Sequence, residues 1–270
     1  MDTNQQFEAV NQAFSKQSKI FDQIDSENVI LQWMRKRVRS HVLSLIKPGS
    51  HILELNAGTG LDAIFFALGG NSVYATDIAS GMVEVLKTKI DSFGLYGRVQ
   101  ADLLSFTDLG KLKDTQFDFI FSNFGGLNCV PDLKSVIDQF STFLKPGGIV
   151  TLVIMPKICP WEIMALFKGN TALAFRRLKV NGAISNVEGT SFTTYYFNPA
   201  QVVRYFGNKY RVIKLQGLCS LVPPPSHQNF PSLYPRLWKT LIKIEEKIAY
   251  QPFFSSFADH FILSMQYKTE

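Results

Sequence analysis

From residue 51 onward the chain alternates short, nearly continuous apolar runs with longer stretches whose apolar residues recur every three or four positions. The runs at 51–55, 72–77, 97–102, 117–123 and 149–155 are too short for most helices, and apart from the more polar 97–102 they are too apolar for strands with one face in water. Between them, 61–68, 78–90 and 132–144 carry helical periodicity, for example Met82, Val83, Leu86 and Ile90. Strands buried on both faces and joined by helices predict an α/β fold with a doubly wound, mostly parallel sheet. Two later runs, 210–216 and 261–267, bring the sheet to seven strands.

The rhythm differs at both ends of this core, which spans 47–155. Residues 1–46 read as N-terminal helices serving as lid and cover. The first covers 1–22, with Phe7, Val10, Phe14 and Phe21 on one face, and loosens at Phe21-Asp22. The second covers 28–46 and ends at Pro48-Gly49. Its Arg35, Lys36, Arg37 and Arg39 read as a solvated face, with the alternative that Arg35 or Arg39 turns towards a ligand carboxylate. Beyond Pro156 come two short helices, 161–168 and 172–178, and a strand pair around Glu188-Gly189. This makes 156–197 an α+β cap inserted after strand 5. Residues 198–270 complete the sheet: a helix capped by Asn198 with Pro199 in its first turn, the sixth strand, a helical insertion at 221–260, and the last strand.

Candidate chemistry concentrates in Leu53-Glu-Leu-Asn-Ala-Gly-Thr-Gly60. Gly58 and Gly60 permit a sharp turn and close approach to a ligand, and a helix starting at Leu61 offers unpaired N–H groups. Asp77 ends the second strand and Asp102 the third. Strand, glycine turn, helix, strand and acid mark a nucleotide-binding half. Gly58-Thr-Gly60-Leu-Asp-Ala63 even satisfies a loose dinucleotide pattern. The acids point elsewhere, because Glu54 would repel a pyrophosphate and suits an ammonium. Asp77 can accept from ribose hydroxyls, and Asp102 can reach an adenine amino group. The fitting ligand is one nucleoside with an amino-acid tail.

Composition narrows the classes. The chain has 270 residues, 46% of them apolar, enough to bury a full core. Its +6 charge is dispersed except at Arg35-Lys-Arg-Val-Arg39, a weak nucleic-acid footprint. Cys129, Cys159 and Cys219 lack any CxxC spacing, which argues for a reducing compartment and no structural metal. No apolar run reaches the length of a bilayer span, and Asp2, Gln5, Gln6 and Glu8 make the start polar, so a cytoplasmic protein, monomeric or homodimeric, is expected. The 23 phenylalanines exceed ordinary core needs and suit an apolar or aromatic ligand.

With these residues in order, the chain resembles the class I S-adenosylmethionine-dependent methyltransferases of the small-molecule type over about 28–155. The first motif is matched by 53–60, with Asn56 where the family often has Gly or an acid; the Leu144-Lys-Pro-Gly-Gly148 turn is a further feature. The resemblance implies S-adenosyl-L-methionine as cofactor, held by Glu54, Asn56, Ala57, Gly58 and Gly60 at the amino-acid end and Asp77 at the ribose. Ile78, Met82, Asp102 and Leu103 would flank the adenine, and Asn123 with Phe124 would close the methyl side. Asn123-Phe124-Gly125-Gly126 lacks the Asn-Pro-Pro-Tyr clamp of the family's DNA adenine and glutamine methylating members, which lowers the odds of such acceptors. The expected reaction is methyl transfer to O, and less readily to N or C, of an apolar or aromatic small molecule. His227 or Tyr195 would serve as base, and Phe21, Trp161 and Tyr196 would contact the acceptor. A methyltransferase for RNA or protein stands second, and a nicotinamide oxidoreductase or non-catalytic nucleotide binder third.

Overall fold

The computed structural model describes residues 2–112 and 115–269. The first helix, α1 (Thr3–Glu27), is a single 25-residue element opened by a capping box between Asp2 and Gln5. It outruns the expected end at residue 22 because its last turns are anchored to the core. Asp22 accepts from Thr59 and pairs with Lys89, and Asp25 pairs with Arg35. In α2 (Val29–Leu43), the Asn28 side chain accepts from the backbone N–H groups of Ile30 and Leu31.

The core then runs β1 (His51–Leu55), α3 (Leu61–Leu68), β2 (Ser72–Asp77), α4 (Ser80–Ser92), β3 (Val99–Leu103), β4 (Phe117–Ser122), α5 (Leu133–Phe143) and β5 (Leu144–Ile154). The segment 144–148, expected as a turn, is the start of β5, and its pairing with β4 shifts register between Phe117 and Phe119. Next come two short helices, α6 (Pro160–Ile163) and α7 (Thr171–Ala174), and the hairpin β6 (Ala183–Val187) and β7 (Thr190–Thr194). α8 (Pro199–Phe206) starts at its proline without a side-chain cap from Asn198, so the fixed proline φ alone opens it. β8 (Tyr210–Leu218), α9 (Phe230–Leu233), α10 (Pro235–Ile248), α11 (Pro252–Ser256) and β9 (His260–Tyr267) complete the chain.

Seven strands form one sheet in the order β3-β2-β1-β4-β5-β9-β8, with β9 antiparallel to both neighbours and the five core strands mutually parallel. Consecutive side chains of a strand feed opposite cores. Leu53, Ile120 and Leu152 join α5 and α8 on one face, while Ile52, Phe121 and Val153 join α2, α3 and Trp238 on the other. Each such fully buried side chain contributes roughly 1.5–3 kcal/mol, so both faces must stay covered. From β1 the chain moves outward to β2 and β3, then returns to place β4 beside β1. That reversal opens a crevice at the carboxyl ends of β1 and β4, where a doubly wound sheet receives a ligand.

Candidate active site

The loop after β1 depends on left-handed backbone. Asn56, Gly58 and Gly60 have φ of 46°, 58° and 78°. Asparagine is among the few side chains that tolerate this region, and here its amide is used on both sides. Nδ2 donates to the Asn123 carbonyl at 3.0 Å, and Oδ1 accepts from Ser122 Oγ at 2.6 Å. The side chain thus stitches β1 to β4. Gly126 leaves room for it, since a Cβ there would sit 2.3 Å from Asn56. Gly60 serves packing instead: a Cβ there would meet Leu86 at 2.1 Å.

Over this loop lies a cavity of about 410 Å³. Its polar wall consists of Arg35, Glu54, Asn56, Gly58, Asp62, Asp77 and Asn123. Its apolar wall is built largely from elements outside the sheet, with Phe7, Val10, Phe14 and Phe21 from α1 and Val187 and Phe192 from the cap hairpin, joined by Ile78, Met82, Phe106, Cys129 and Met155. Gln6 ties lid to cap, donating to the carbonyls of Cys129 and Thr193 at 3.0 and 2.7 Å and accepting from the Thr193 N–H at 3.0 Å.

The polar wall carries unequal charges. Arg35, expected on a solvated face, is 5% exposed and lies between Asp25 at 2.7 Å and Asp62 at 2.5 Å, with its guanidinium 4.6 Å from the Phe124 ring centre. Asp62 also accepts from Arg39 and Asn123, each at 2.7 Å. Burial disfavours its charge, but Arg35, Arg39 and these hydrogen bonds outweigh that and hold it below the usual carboxylate range. Asp77 accepts from the N–H groups of Gly58 and Ala79, both at 2.8 Å, yet burial raises its pKa. Glu54 is 2% exposed, and its Oε2 has no hydrogen-bond partner among the described residues. Burial, reinforced by the Asp62 charge and opposed by Arg35 and Arg39, pushes it well above the usual carboxylate range. A buried carboxyl lacking a donor is suited to an incoming cation, and the amino-acid end of S-adenosylmethionine carries one.

Residues 52–148 match the family model described as "Methyltransferase domain". The chain is 29% identical over 161 residues to a demethylmenaquinone methyltransferase of Leptospira interrogans, covering 56% of this chain and 63% of that one. Another, from Clavibacter sepedonicus, is 36% identical over 104 residues, covering 38% and 40%. The matched region thus spans less than two thirds of these curated relatives. Among solved structures, the [4+2]-cyclase SpnF superposes with a TM-score of 0.65 at 14% identity over 97% of this chain and 96% of that one. The geranyl diphosphate C-methyltransferase from Streptomyces coelicolor A3(2) gives 0.57 at 12% identity over 88% and 79%. Residues 52–148 thus carry the likeness to a methyltransferase domain, and the seven-stranded fold is shared with solved S-adenosylmethionine-dependent methyltransferases.

The cavity gathers Phe21, Glu54, Asn56, Ala57, Gly58, Asp77, Ile78, Met82, Asn123 and Phe124 on its walls. Other expected site residues lie elsewhere. Asp102 is outside the lining, where it accepts from Tyr74 of the neighbouring strand and from Gln100. Leu103 is turned to solvent, and Gly60 sits behind the wall against Leu86. His227 is exposed on the far insertion, its ring 5.4 Å from that of Trp161, and neither lines the cavity. Tyr195 packs on the main core with its backbone N–H on the Asn128 carbonyl, and Tyr196 is buried under the Arg177 guanidinium. The irregular segment after β7 places both rings outside the cavity lining, a direction that residue type does not reveal. Sequence reasoning passed over Asp62, Phe106, Cys129 and Met155. Only Asp62 had a signal, an acid in the first turn of the helix that the glycine loop opens.

One cluster among the described residues groups three metal-ligating side chains, Cys159, Glu162 and Asp259. Arg177 reaches Glu162 at 2.7 Å and Asp259 at 2.6 Å, so the carboxylates already have their counter-charge. Burial raises the Cys159 thiol to about 12, leaving it neutral.

Proposed function

We propose that this chain transfers a methyl group from S-adenosylmethionine to a phenolic or enolic hydroxyl of a small, largely apolar molecule. S-adenosylmethionine, when bound, supplies an electrophilic methyl sulfonium. Glu54 would receive its ammonium and Asp77 its ribose hydroxyls, with Ile78 and Met82 beside the base. Arg35 would face its carboxylate. The fit rests on the partnerless Glu54 oxygen and on the carboxylate of Asp77, whose two backbone hydrogen bonds leave lone pairs for hydroxyl donors.

The observation that carries the acceptor class is that, among the described residues, the apolar wall offers no side chain that titrates near neutrality, while the two lining carboxyls with raised pKa, Glu54 and Asp77, are those assigned to the cofactor. Cys129 is raised to about 12 by burial and the Asp77 charge, and the nearby Ser185, Asn186 and Thr194 do not titrate near neutrality. An acceptor in this pocket must therefore shed its proton readily by itself, as a phenol or enol does and an alcohol does not. The phenylalanines of lid and cap would hold the acceptor flat and exclude water, contributing by orientation. The curated relatives are named for demethylmenaquinone, which supports a ring-bearing, apolar acceptor. A lid and hairpin closed over the pocket favour a small molecule over RNA or protein.

Purified enzyme incubated with S-adenosylmethionine carrying a labelled methyl group should label phenols of graded acidity, faster for the more acidic members, and leave aliphatic alcohols unlabelled. Label on alcohols or amines at rates matching the phenols would overturn the acceptor class. Retention of NAD rather than S-adenosylhomocysteine through purification would overturn the cofactor.

A further inference from the structure

The two insertions meet although they are far apart in sequence. Trp161 lies 6.5 Å from Phe230 and Phe230 lies 5.2 Å from Tyr234, ring centre to ring centre. Arg177 bridges to Asp259, and Ile158 pairs with Phe257. Around these contacts both insertions expose apolar side chains. Phe167 is 90% and Val180 93% exposed, with Phe175, Leu233 and Tyr234 also open to solvent. Exposed apolar groups of this size, concentrated in two insertions that touch, mark an interaction site.

Charge identifies the partner. Of the 28 basic and 22 acidic residues in the chain, the insertions 156–197 and 221–260 hold nine and five, leaving nineteen and seventeen elsewhere. Four of the five acids are engaged: Glu162 with Arg176 and Arg177, Asp259 with Arg177 and His260, Glu245 with the backbone N–H groups of Ser220, Leu221 and Val222, and Glu246 near Arg37, while Glu188 stands at the turn of the cap hairpin. Lys168 and Lys179, beside Phe167 and Val180, are exposed and in no ion pair among the described residues. Apolar side chains projecting from insertions whose unpaired charges are mainly positive match the interface of an anionic bilayer, where rings enter the headgroup boundary and lysines reach the lipid charges. No helix among the described residues is long and apolar enough to cross a membrane, so contact would be peripheral.

We infer that the face formed by the two insertions docks this protein on anionic lipid surfaces. The test is cosedimentation of the full chain with phosphatidylcholine vesicles and with vesicles holding about a third phosphatidylglycerol. Binding should be at least tenfold stronger to the second and weaken in high salt, because each lysine near an anionic surface contributes roughly fivefold. Phe167→Ser with Val180→Ser, and separately Lys168→Glu with Lys179→Glu, should each lower partitioning by tenfold or more. Their melting temperature and S-adenosylhomocysteine affinity should stay at parental values, since none of the four residues lines the cavity. Equal recovery with both vesicle types, or variants that bind like the parent, would overturn the inference. So would a concentration-dependent dimer that these variants abolish while the parent ignores vesicles, which would assign the face to a second copy.

Discussion

Replacing Glu54 by Gln separates the two ends of the proposed cofactor. The side chain keeps its shape and loses only the ability to present a carboxylate to the ammonium. A hydrogen bond to a charged group is worth about 1.5–3 kcal/mol against about 1 for a neutral one, so the substitution should cost roughly 1–2 kcal/mol of binding. At about 1.4 kcal/mol per decade that is a five- to thirty-fold rise in Kd. Titration calorimetry with S-adenosylhomocysteine should show this loss. 5′-Methylthioadenosine, which has the same nucleoside but no amino-acid tail, should bind parent and variant within about twofold, as expected when only the ammonium contact is lost. Ligand-free stability should move the other way. A carboxyl whose folded pKa is raised adds stability below the ordinary carboxylate range and loses it as pH climbs through the folded value. Glu54 is such a group, so Glu54→Gln without ligand should melt higher than the parent at pH 8, with the gap closing towards pH 5. Equal losses for both ligands, or an unchanged S-adenosylhomocysteine affinity, would refute the assignment of Glu54 to the ammonium.

Asp77→Asn should weaken S-adenosylhomocysteine and methylthioadenosine alike, by tenfold or more, because both carry the ribose that a carboxylate grips more strongly than an amide; calorimetry on the two ligands checks it. His227→Ala should leave turnover and its pH profile unchanged, since the ring is exposed and outside the cavity, and a loss of the alkaline or acidic limb would restore it as a base. His41 is buried with Nε2 2.7 Å from Ser264 Oγ, and burial reinforced by Lys214 lowers its pKa to about 3. The neutral ring adds stability above its unfolded pKa near 6.5, which is lost as pH falls towards 3. Denaturant titrations should show about 2 kcal/mol of His41-dependent loss between pH 6.5 and 5, and a flatter slope in His41→Gln.

The sequence by itself determined the features that depend on local spacing. The period of apolar residues distinguished buried strands from helices between residues 51 and 155, and the glycine turn flanked by Glu54 and Asp77 marked the ligand end of the sheet. Asn56 and Phe21 line the cavity, the first at a left-handed backbone position that restricts residue choice, the second on a helix face readable from period alone. Tertiary structure decided the rest. Arg35 looked like one of several solvated cations until Asp25 and Asp62, on elements before and after it, converged and paid for its burial. Asp102 reads as the third acid in a series, yet the hydroxyl of Tyr74 on the adjacent strand draws it away from the cavity wall. The cap aromatics divided by direction: Phe192 points into the pocket, while Tyr196 turns under Arg177 and Trp161 packs against His227 and Phe230. Spacing along a chain sets which residues share a face. Which face meets a ligand follows from contacts between segments more than a hundred residues apart, as when α1 closes over the sheet and binds the hairpin through Gln6.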